Sequence, residues 1–295
     1  MVLSKKSKAI GFILLSAFGF AMMNAFVKMA GDLPFTQKSF FRNFVAMIFA
    51  AVILKKEKIG FRWEPGNFPL LLMRAMCGTV GIFCNFYAVD HLLLADANML
   101  NKLSPFFAIL FSLLFLKERA TIVQYCAVLL AFGGSLLIIK PGFSADAIPA
   151  MIGLLGGVGA GAAYTAVRAL SSRREKGARI VFFFSAFSTL VSLPFLLFDY
   201  HPMTWTQLAC LLAAGLSATL GQFGITLAYS NAPAKEISVF DYTQILFAAL
   251  LGFFLFDQMP DWMSIIGYII ICGVSVVVFF YNRTLENQEK IRDKL

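Results

Sequence analysis

Residues 79–88 read TVGIFCNFYA, and residues 219–228 read TLGQFGITLA, an offset of 140 residues. The same offset holds without a gap from the first apolar segment of the chain to the last. Self-similarity at a fixed period indicates one structural unit used twice. In membrane proteins such duplication is typical of transporters that bind their substrate between the two copies. Other matched residues are Gly19 with Gly159, Val27 with Val167, Lys28 with Arg168, Ala108 with Ala248, Leu110 with Leu250, Gly133 with Gly273 and Ser135 with Ser275.

The composition excludes an ordinary soluble domain. The chain has 295 residues, of which 59% are hydrophobic and only 14% are charged, whereas a soluble domain carries about 25% charged residues. A helix needs about 20 apolar residues to cross a bilayer. We therefore predict an all-α integral membrane protein with ten transmembrane helices, numbered in chain order, at about residues 9–30, 35–54, 69–89, 92–116, 121–139, 149–170, 180–198, 207–230, 237–256 and 262–281.

The start of the chain and its cysteines carry little further information. The first apolar run follows three lysines, as in a signal peptide, but it is longer than a signal peptide's apolar region and more spans follow it. We interpret it as a retained helix. The cysteines show no metal-binding spacing and are interpreted as packing residues. They are Cys77, Cys84, Cys126, Cys210 and Cys272.

The basic residues predict the orientation. With the amino terminus in the cytoplasm, the loops on the opposite side carry only Lys140 among the lysines and arginines. This is the positive-inside bias, and it predicts a multi-pass protein of the plasma or inner membrane with both termini cytoplasmic. Topology thus explains the net charge of +9. The lipid bilayer is an expected partner, and nucleic acid is not.

The number of helices in each repeat unit predicts how the two halves are oriented in the membrane. The first unit covers residues 1–140, the second covers 141–281, and 282–295 form a cytoplasmic tail. Five helices per unit is an odd number, so the second unit must enter the membrane from the opposite face. The halves are then inverted about a pseudo-two-fold axis in the membrane plane, the arrangement that alternating access uses.

Six basic residues fall within the predicted spans, where each costs roughly 2.5–3.5 kcal/mol at a helix centre. Those near helix ends are expected to snorkel to the interface, with a cavity-lining role as the alternative. Arg42 is deeper and is expected to face the interior. Lys102 lies mid-span in helix 4 and is the strongest single candidate for the site. The residues near helix ends are Lys28, Lys38, Arg74 and Arg168.

Helix 4 carries a polar stripe around Lys102. Asn98, Lys102 and Pro105 recur at i, i+4 and i+7 on one face. The proline removes a backbone donor, which can kink the helix and expose polar backbone to a cavity. Helix 9, the counterpart of helix 4, offers Asp241. We hypothesise a Lys102–Asp241 ion pair across the pseudo-axis, either as part of a substrate site or as a purely structural contact.

Weaker polar stripes occur on helices 1, 3, 6 and 8. Gly153, Gly157 and Gly161 of helix 6 have the spacing that lets helices approach closely. Helices 5 and 10 are almost wholly apolar, so they face lipid, stabilise the halves or form a homodimer. The predicted substrate-binding residues are Asn24, Lys28, Arg42, Asn85, Asn98, Asn101, Lys102, Tyr164, Gln222, Asp241, Tyr242 and Gln244.

No catalytic constellation is present in the sequence. His91 and His201 lie in different predicted loops. No metalloprotease, serine-hydrolase or phosphate-loop motif occurs. We therefore predict no enzyme activity, no metal and no cofactor.

Helices 3 and 4 contain Phe-Tyr-Ala at 86–88, Ala-Asp-Ala at 95–97, Leu-Ser-Pro-Phe-Phe at 103–107 and Leu-Lys-Glu-Arg at 116–119. This segment resembles the ten-helix EamA-type members of the drug/metabolite transporter superfamily. Pro34 followed by Arg42 resembles the opening of their helix 2. The resemblance covers essentially the whole chain, although Ile245 replaces Pro105 and Gln258 replaces Glu118 in the second repeat. It implies a secondary transporter with a central cavity lined by helices 1, 3, 4, 6, 8 and 9.

The leading interpretation is a secondary transporter, an exporter or exchanger, of a small amphiphilic metabolite that bears a carboxylate, such as an amino acid. The intramembrane bases outnumber the acids Asp96 and Asp241, which favours an anionic or zwitterionic substrate. A nucleotide-like or cationic metabolite is one alternative. A channel is another.

Overall fold

The computed structural model describes residues 5–104, 106–107, 110–111, 121–139, 147–231 and 240–292. These residues form helices and turns, with no β-strand among them, so the predicted all-α class is confirmed. The helix numbers correspond to the predicted segments. The helices are α1 (Lys5–Met29), α2 (Phe35–Lys56), α3 (Phe68–His91), α4 (Leu94–Asn101), α5 (Ile122–Ile139), α6 (Ala147–Ser172), α7 (Gly177–Phe198), α8 (Trp205–Asn231), α9 (Thr243–Phe256) and α10 (Trp262–Arg292).

Large apolar side chains are exposed over much of the protein surface, and several polar and charged side chains are buried in the interior. Leu129 and Phe254 are mostly exposed, whereas Lys38, Asn43 and Asn98 are fully buried. Among the described residues, seven helices are long and apolar enough to cross a membrane: α1, α2, α3, α6, α7, α8 and α10. The helices therefore have the composition that a bilayer requires.

The other three predicted spans are shorter in the described part of the chain. α4 has 8 residues and ends at a turn, α9 has 14 residues, and α5 has 18. The ranges predicted for helices 4 and 9 continue into residues outside the described ones. The count of ten membrane crossings therefore stays a prediction. α10 continues to Arg292 and includes most of the predicted tail.

The helices pack mainly across the two halves of the chain. Within the described ranges, α1 packs against α8, α3 against α6, α2 against α7, α4 against α9 and α5 against α10. The 140-residue offset converts the α1–α8 pair into the α6–α3 pair. Each of the other three pairs joins a helix of the first half to its own counterpart in the second half. A pseudo-two-fold relation between the halves would produce this pattern of contacts, and the relation itself stays a prediction. α5 and α10 pack on each other within the chain, and homodimerisation through them stays a prediction.

Glycines matched by the repeat lie at two close helix crossings. A Cβ at Gly19 of α1 would lie 2.8 Å from the backbone nitrogen of Gly221 of α8. A Cβ at Gly159 of α6 would lie 3.1 Å from the backbone nitrogen of Gly81 of α3. The offset pairs Gly19 with Gly159 and Gly81 with Gly221. Close approach was also predicted for Gly157, and it is confirmed: a Cβ there would lie 2.6 Å from a carbonyl of α4.

α4 and α9 are interrupted at positions that the repeat matches. α4 ends at Asn101, and Lys102 lies in a turn. α9 begins at Thr243, and Tyr242, the counterpart of Lys102, also lies in a turn. Pro105, which lies outside the described residues, has no N–H to offer the carbonyl of Asn101. Interrupted helices of this kind present backbone and side-chain groups to binding sites in transporters.

The α2–α3 and α6–α7 loops, both predicted to be cytoplasmic, meet at one buried carboxylate. Oε1 of Glu175 accepts a hydrogen bond from Nη1 of Arg179 at 2.5 Å. Its Oε2 accepts from Nδ2 of Asn67 at 2.9 Å and from the backbone N–H of Glu64 at 3.0 Å. Glu175 thereby ties the two halves together at this end of the bundle.

This carboxylate predicts a pH-dependent contribution to stability. Burial alone raises the pKa of Glu175, but the hydrogen bonds from Asn67, Glu64 and Arg179 outweigh it and hold the pKa below its ordinary value of 4.5. The contribution is therefore present at neutral pH and is lost in acid, as the pH falls through the folded-state pKa. Between about pH 6 and about pH 3, we expect the melting temperature of the wild type in detergent to fall more steeply than that of Glu175→Gln. Equal slopes would contradict the assignment.

Candidate functional site

The hypothesised ion pair between Lys102 and Asp241 is present. Nζ of Lys102 lies 2.5 Å from Oδ2 of Asp241, and both side chains are largely buried. The hydroxyl of Tyr242 donates to the carbonyl of Lys102 at 3.2 Å. Both contacts join the interruption of α4 to the interruption of α9. The predicted contact is confirmed, and a role in substrate binding stays a prediction.

Four predicted site residues form a hydrogen-bonded amide network. Oδ1 of Asn98 accepts from Nδ2 of Asn24 at 2.9 Å and from Nε2 of Gln244 at 2.5 Å. Oδ1 of Asn24 accepts from Nδ2 of Asn85 at 3.2 Å. All four residues are buried, and buried amides are unfavourable unless they are hydrogen-bonded. The network therefore holds α1, α3, α4 and α9 together, one helical turn from Lys102.

Two buried arginines lie between α2, α3 and α7. Arg42 and Arg74 are 4% and 5% exposed. Their guanidinium carbons lie 5.7 and 4.0 Å from the ring centroid of Phe184. Nη1 of Arg42 donates to Asn43 at 2.5 Å. Within the described part of the chain, neither arginine forms a salt bridge, and the Nε of each has no hydrogen-bond partner. We call Arg42 and Arg74 the arginine pair.

Tyr164 of α6 lies near both of these charged groups. It is within electrostatic range of Asp241, Arg42 and Arg74. Its exposed fraction is 39%, so open space lies beside the ring. We call this space the central chamber. The Lys102–Asp241 pair and the arginine pair are therefore two polar regions near one chamber.

A second cleft lies away from these polar groups. It has a volume of about 440 Å³ and lies between α5 and α10, lined by aliphatic side chains, an alanine, a glycine and Cys126. Such a lining offers no group that could orient a polar metabolite. In a membrane protein, lipid acyl chains fill an apolar cleft on the outer surface. We therefore assign the candidate site to the central chamber.

Snorkelling, expected for the bases near helix ends, is wrong for Lys38 and Arg74. Lys38 is fully buried, with its Nζ 2.6 Å from Oδ1 of Asp90. Lys28 donates to the carbonyls of Val89 and Leu92 at 2.8 and 2.6 Å. A cation at this position stabilises the carboxyl end of α3. That contact accounts for Lys28 without a ligand, and its predicted binding role is untested.

The remaining predicted residues are less informative. Asn101 is half-buried at the end of α4, and Gln222 is half-buried on α8. The side chain of Arg168 lies outside the described ones. In the described part of the chain, no group of histidine, cysteine and acidic residues is placed to hold a metal ion.

Arg74 and Phe184 are absent from the predicted site. Arg74 lies near a helix end, where snorkelling is the ordinary expectation, and Phe184 is one of 33 phenylalanines. One available signal is that no acidic residue lies within a helical turn of Arg42 or Arg74 in the sequence. A buried base without a local acid has to find its counter-charge elsewhere.

Comparison with known proteins agrees with this architecture. The EamA-like transporter family matches residues 7–140 and again residues 147–280. The chain is 36% identical over 281 residues to the pseudopaline exporter CntI of Pseudomonas aeruginosa, with 94% of this chain and 96% of the relative covered. It is 29% identical over 278 residues to an uncharacterized transporter of Helicobacter pylori, with 90% and 92% covered. It is 25% identical over 280 residues to solute carrier family 35 member G1 of Homo sapiens, with 90% and 77% covered.

A solved crystal structure shares the fold. Its TM-score is 0.65 at 17% sequence identity, and the match covers 95% of this chain and 99% of that chain. The family match, the named relatives and the apolar helices together show a multi-pass protein of the cell membrane, a transporter rather than an enzyme. The resemblance to the EamA-type drug/metabolite transporters is thereby confirmed, and the chain belongs to the EamA-like transporter family.

Proposed function

We propose that this protein is a secondary transporter that exports or exchanges a small, amphiphilic, carboxylate-bearing metabolite, such as an amino acid, by alternating access. The observation that carries the proposal is the Lys102–Asp241 contact, which joins the interrupted helices α4 and α9. Its partners belong to different halves of the chain. The contact can therefore break and re-form as the halves move against each other.

The relation between the halves supports alternating access. The helices pair across the halves, and the family match occurs twice. Five spans in each half would invert the second half relative to the first, and the distribution of bases favours cytoplasmic termini. When inverted halves exchange their conformations, the open side of the transporter changes.

The charges in the interior support the substrate class. Arg42, Arg74 and Lys102 offer donors that bind carboxylates well. Oδ1 of Asp241 is buried and has no hydrogen-bond partner among the described residues, so it can accept from an amine of the substrate. A molecule that bears carboxylate and amine groups would satisfy both. The relative named as an exporter of pseudopaline supports outward transport.

A cationic metabolite is the second candidate. Oδ1 of Asp241, which has no hydrogen-bond partner among the described residues, favours it, because a buried carboxylate oxygen attracts a positive charge. The arginine pair disfavours it by repulsion. Competition between carboxylate and amine compounds for the purified protein would separate the two candidates.

Transport by purified protein in proteoliposomes tests the proposal. A thermal-shift screen in detergent against amino acids, organic acids and nucleotides selects a ligand, and counterflow of the labelled ligand then measures exchange. We expect saturable counterflow of a carboxylate-bearing compound that unlabelled compound on the other side accelerates. Selection of a cation or a nucleotide would contradict the substrate class. Conductance far above the turnover of a carrier would indicate a channel.

A further inference from the structure

We propose that the arginine pair is a carboxylate-binding subsite that takes a doubly anionic part of the transported metabolite. This inference rests on the proposed transport function and adds the place and charge of one binding region. Arg42 and Arg74 come from neighbouring helices, and both guanidinium groups lie against the ring of Phe184. Two positive charges are thus held in one buried region beside Tyr164.

The pair differs from the other buried bases in lacking a counter-ion. Lys38 binds Asp90, Lys102 binds Asp241, and Arg179 binds Glu175. Within the described ranges the arginine pair forms no salt bridge, whereas a buried Nε without a partner occurs in Arg179 as well. Two like charges also repel each other, so the ligand-free pair is unfavourable. A ligand with two negative charges would remove this cost.

Position 78 shows how the chain accommodates Arg74. A Cβ at Gly78 would overlap Nη1 of Arg74 and would lie 2.8 Å from Cε2 of Phe184. The guanidinium therefore folds over a glycine of its own helix and stacks on the ring. The ring covers one side of the guanidinium, and its Nε has no hydrogen-bond partner among the described residues. A carboxylate is the group that guanidinium binds through two parallel hydrogen bonds.

Binding of a charge series to the full-length protein in detergent tests the subsite. Succinate, succinamate and succinamide have nearly the same size and carry two, one and no negative charges. We expect isothermal titration to give the highest affinity for succinate, with about a tenfold loss for each charge removed. Arg74→Gln should weaken succinate binding about tenfold or more and bring succinate and succinamate close together. The succinate affinity of Arg74→Lys should lie between those of Arg74→Gln and the wild type, since lysine keeps the positive charge but lacks the paired N–H donors of the guanidinium.

Gly78→Ala provides a second variant that leaves both arginines in the sequence. The added methyl group displaces the end of the flexible Arg74 side chain and presses on the ring of Phe184, and no backbone atom is among its nearest contacts. We expect it to weaken succinate binding while the protein keeps its fold. Arg62→Gln is the matched control, because Arg62 is an exposed arginine of the α2–α3 loop. Equal succinate affinity for the wild type and Arg74→Gln would overturn the subsite.

A stability measurement separates a binding role from a structural one. Because the ligand-free pair is unfavourable, Arg74→Gln should melt at the same temperature as the wild type or higher when no ligand is present. A lower melting temperature would mean that Arg74 holds the fold, and it would overturn the inference. Saturating succinate should raise the melting temperature of the wild type and leave that of Arg74→Gln nearly unchanged.

The subsite and the proposed function can fail separately. If the wild type exchanges a carboxylate compound and Arg74→Gln binds that compound equally well, the subsite is wrong and the transport function stands. If counterflow selects only cations, the proposed function is wrong. Absence of succinate binding by the wild type would overturn the subsite. Tighter binding of phenyl phosphate than of succinate would assign the pair to a phosphate group and overturn the carboxylate assignment.

Discussion

Asp241→Leu is expected to lower the free energy of unfolding by about 3–5 kcal/mol, because it leaves the buried ammonium of Lys102 without its partner. The double variant Lys102→Met/Asp241→Leu removes both charges and should recover most of that loss. Lys102→Met and the double variant complete a double-mutant cycle, measured by thermal unfolding in detergent. Additive effects of the two single substitutions would contradict a coupled pair.

The same variants decide between a substrate site and a structural contact. If the pair takes part in transport, the double variant should be stable but inactive in counterflow, and Lys102→Ala should also be inactive. Transport by Lys102→Ala at the wild-type rate would make the pair a structural contact between α4 and α9. Oδ1 of Asp241 has no hydrogen-bond partner among the described residues, which favours the first outcome, since the great majority of buried acceptors in structural contacts are hydrogen-bonded.

Gly19→Ala and Gly159→Ala are each expected to destabilise the protein by about 1–3 kcal/mol. The obstructing atoms belong to the backbone of the facing helix, so they can yield only if two helices separate. The two crossings are matched by the repeat, and the two substitutions should therefore have similar costs. The measurement is the melting temperature of each purified variant in detergent.

Gly11→Ala is the matched control on the same helix as Gly19. No atom lies within 4 Å of a Cβ built at Gly11. Alanine is the better helix former, so this variant should gain about 0.5–1 kcal/mol. A loss at Gly11 equal to that at Gly19 would show that the cost comes from the helix itself and not from the crossing.

Several parts of the candidate site were predictable from the sequence because they follow helical spacing. Asn98 and Lys102 are one turn apart, and Asp241 lies on the helix that the repeat matches with theirs. The amide network joins Asn24, Asn85, Asn98 and Gln244, all of them among the predicted residues. Which amide donates to which was not predictable, since helix spacing defines a face of a helix and not the neighbour it contacts.

The arginine pair was not predictable. Arg42 and Arg74 belong to different helices, and Arg74 lies at a depth where a long side chain can either snorkel or turn inward. The choice depends on Gly78, which leaves room for the guanidinium, and on Phe184, which stacks on it. Both residues lie on surfaces that meet only after α3 and α7 have packed. The same applies to Glu175, whose partners come from the α2–α3 loop and from α7.

By itself, the sequence determined the membrane class, the positions of most helices, the repeat and the close approach at Gly157, because these depend on local composition and spacing. The tertiary structure alone decided that the helices pair across the halves, that Lys38 and Arg74 turn inward, and that two arginines converge on one aromatic ring. These features arise from contacts between residues distant in the chain. The partner of a buried charge depends on which residues the packed helices place next to it, and that packing involves the whole bundle.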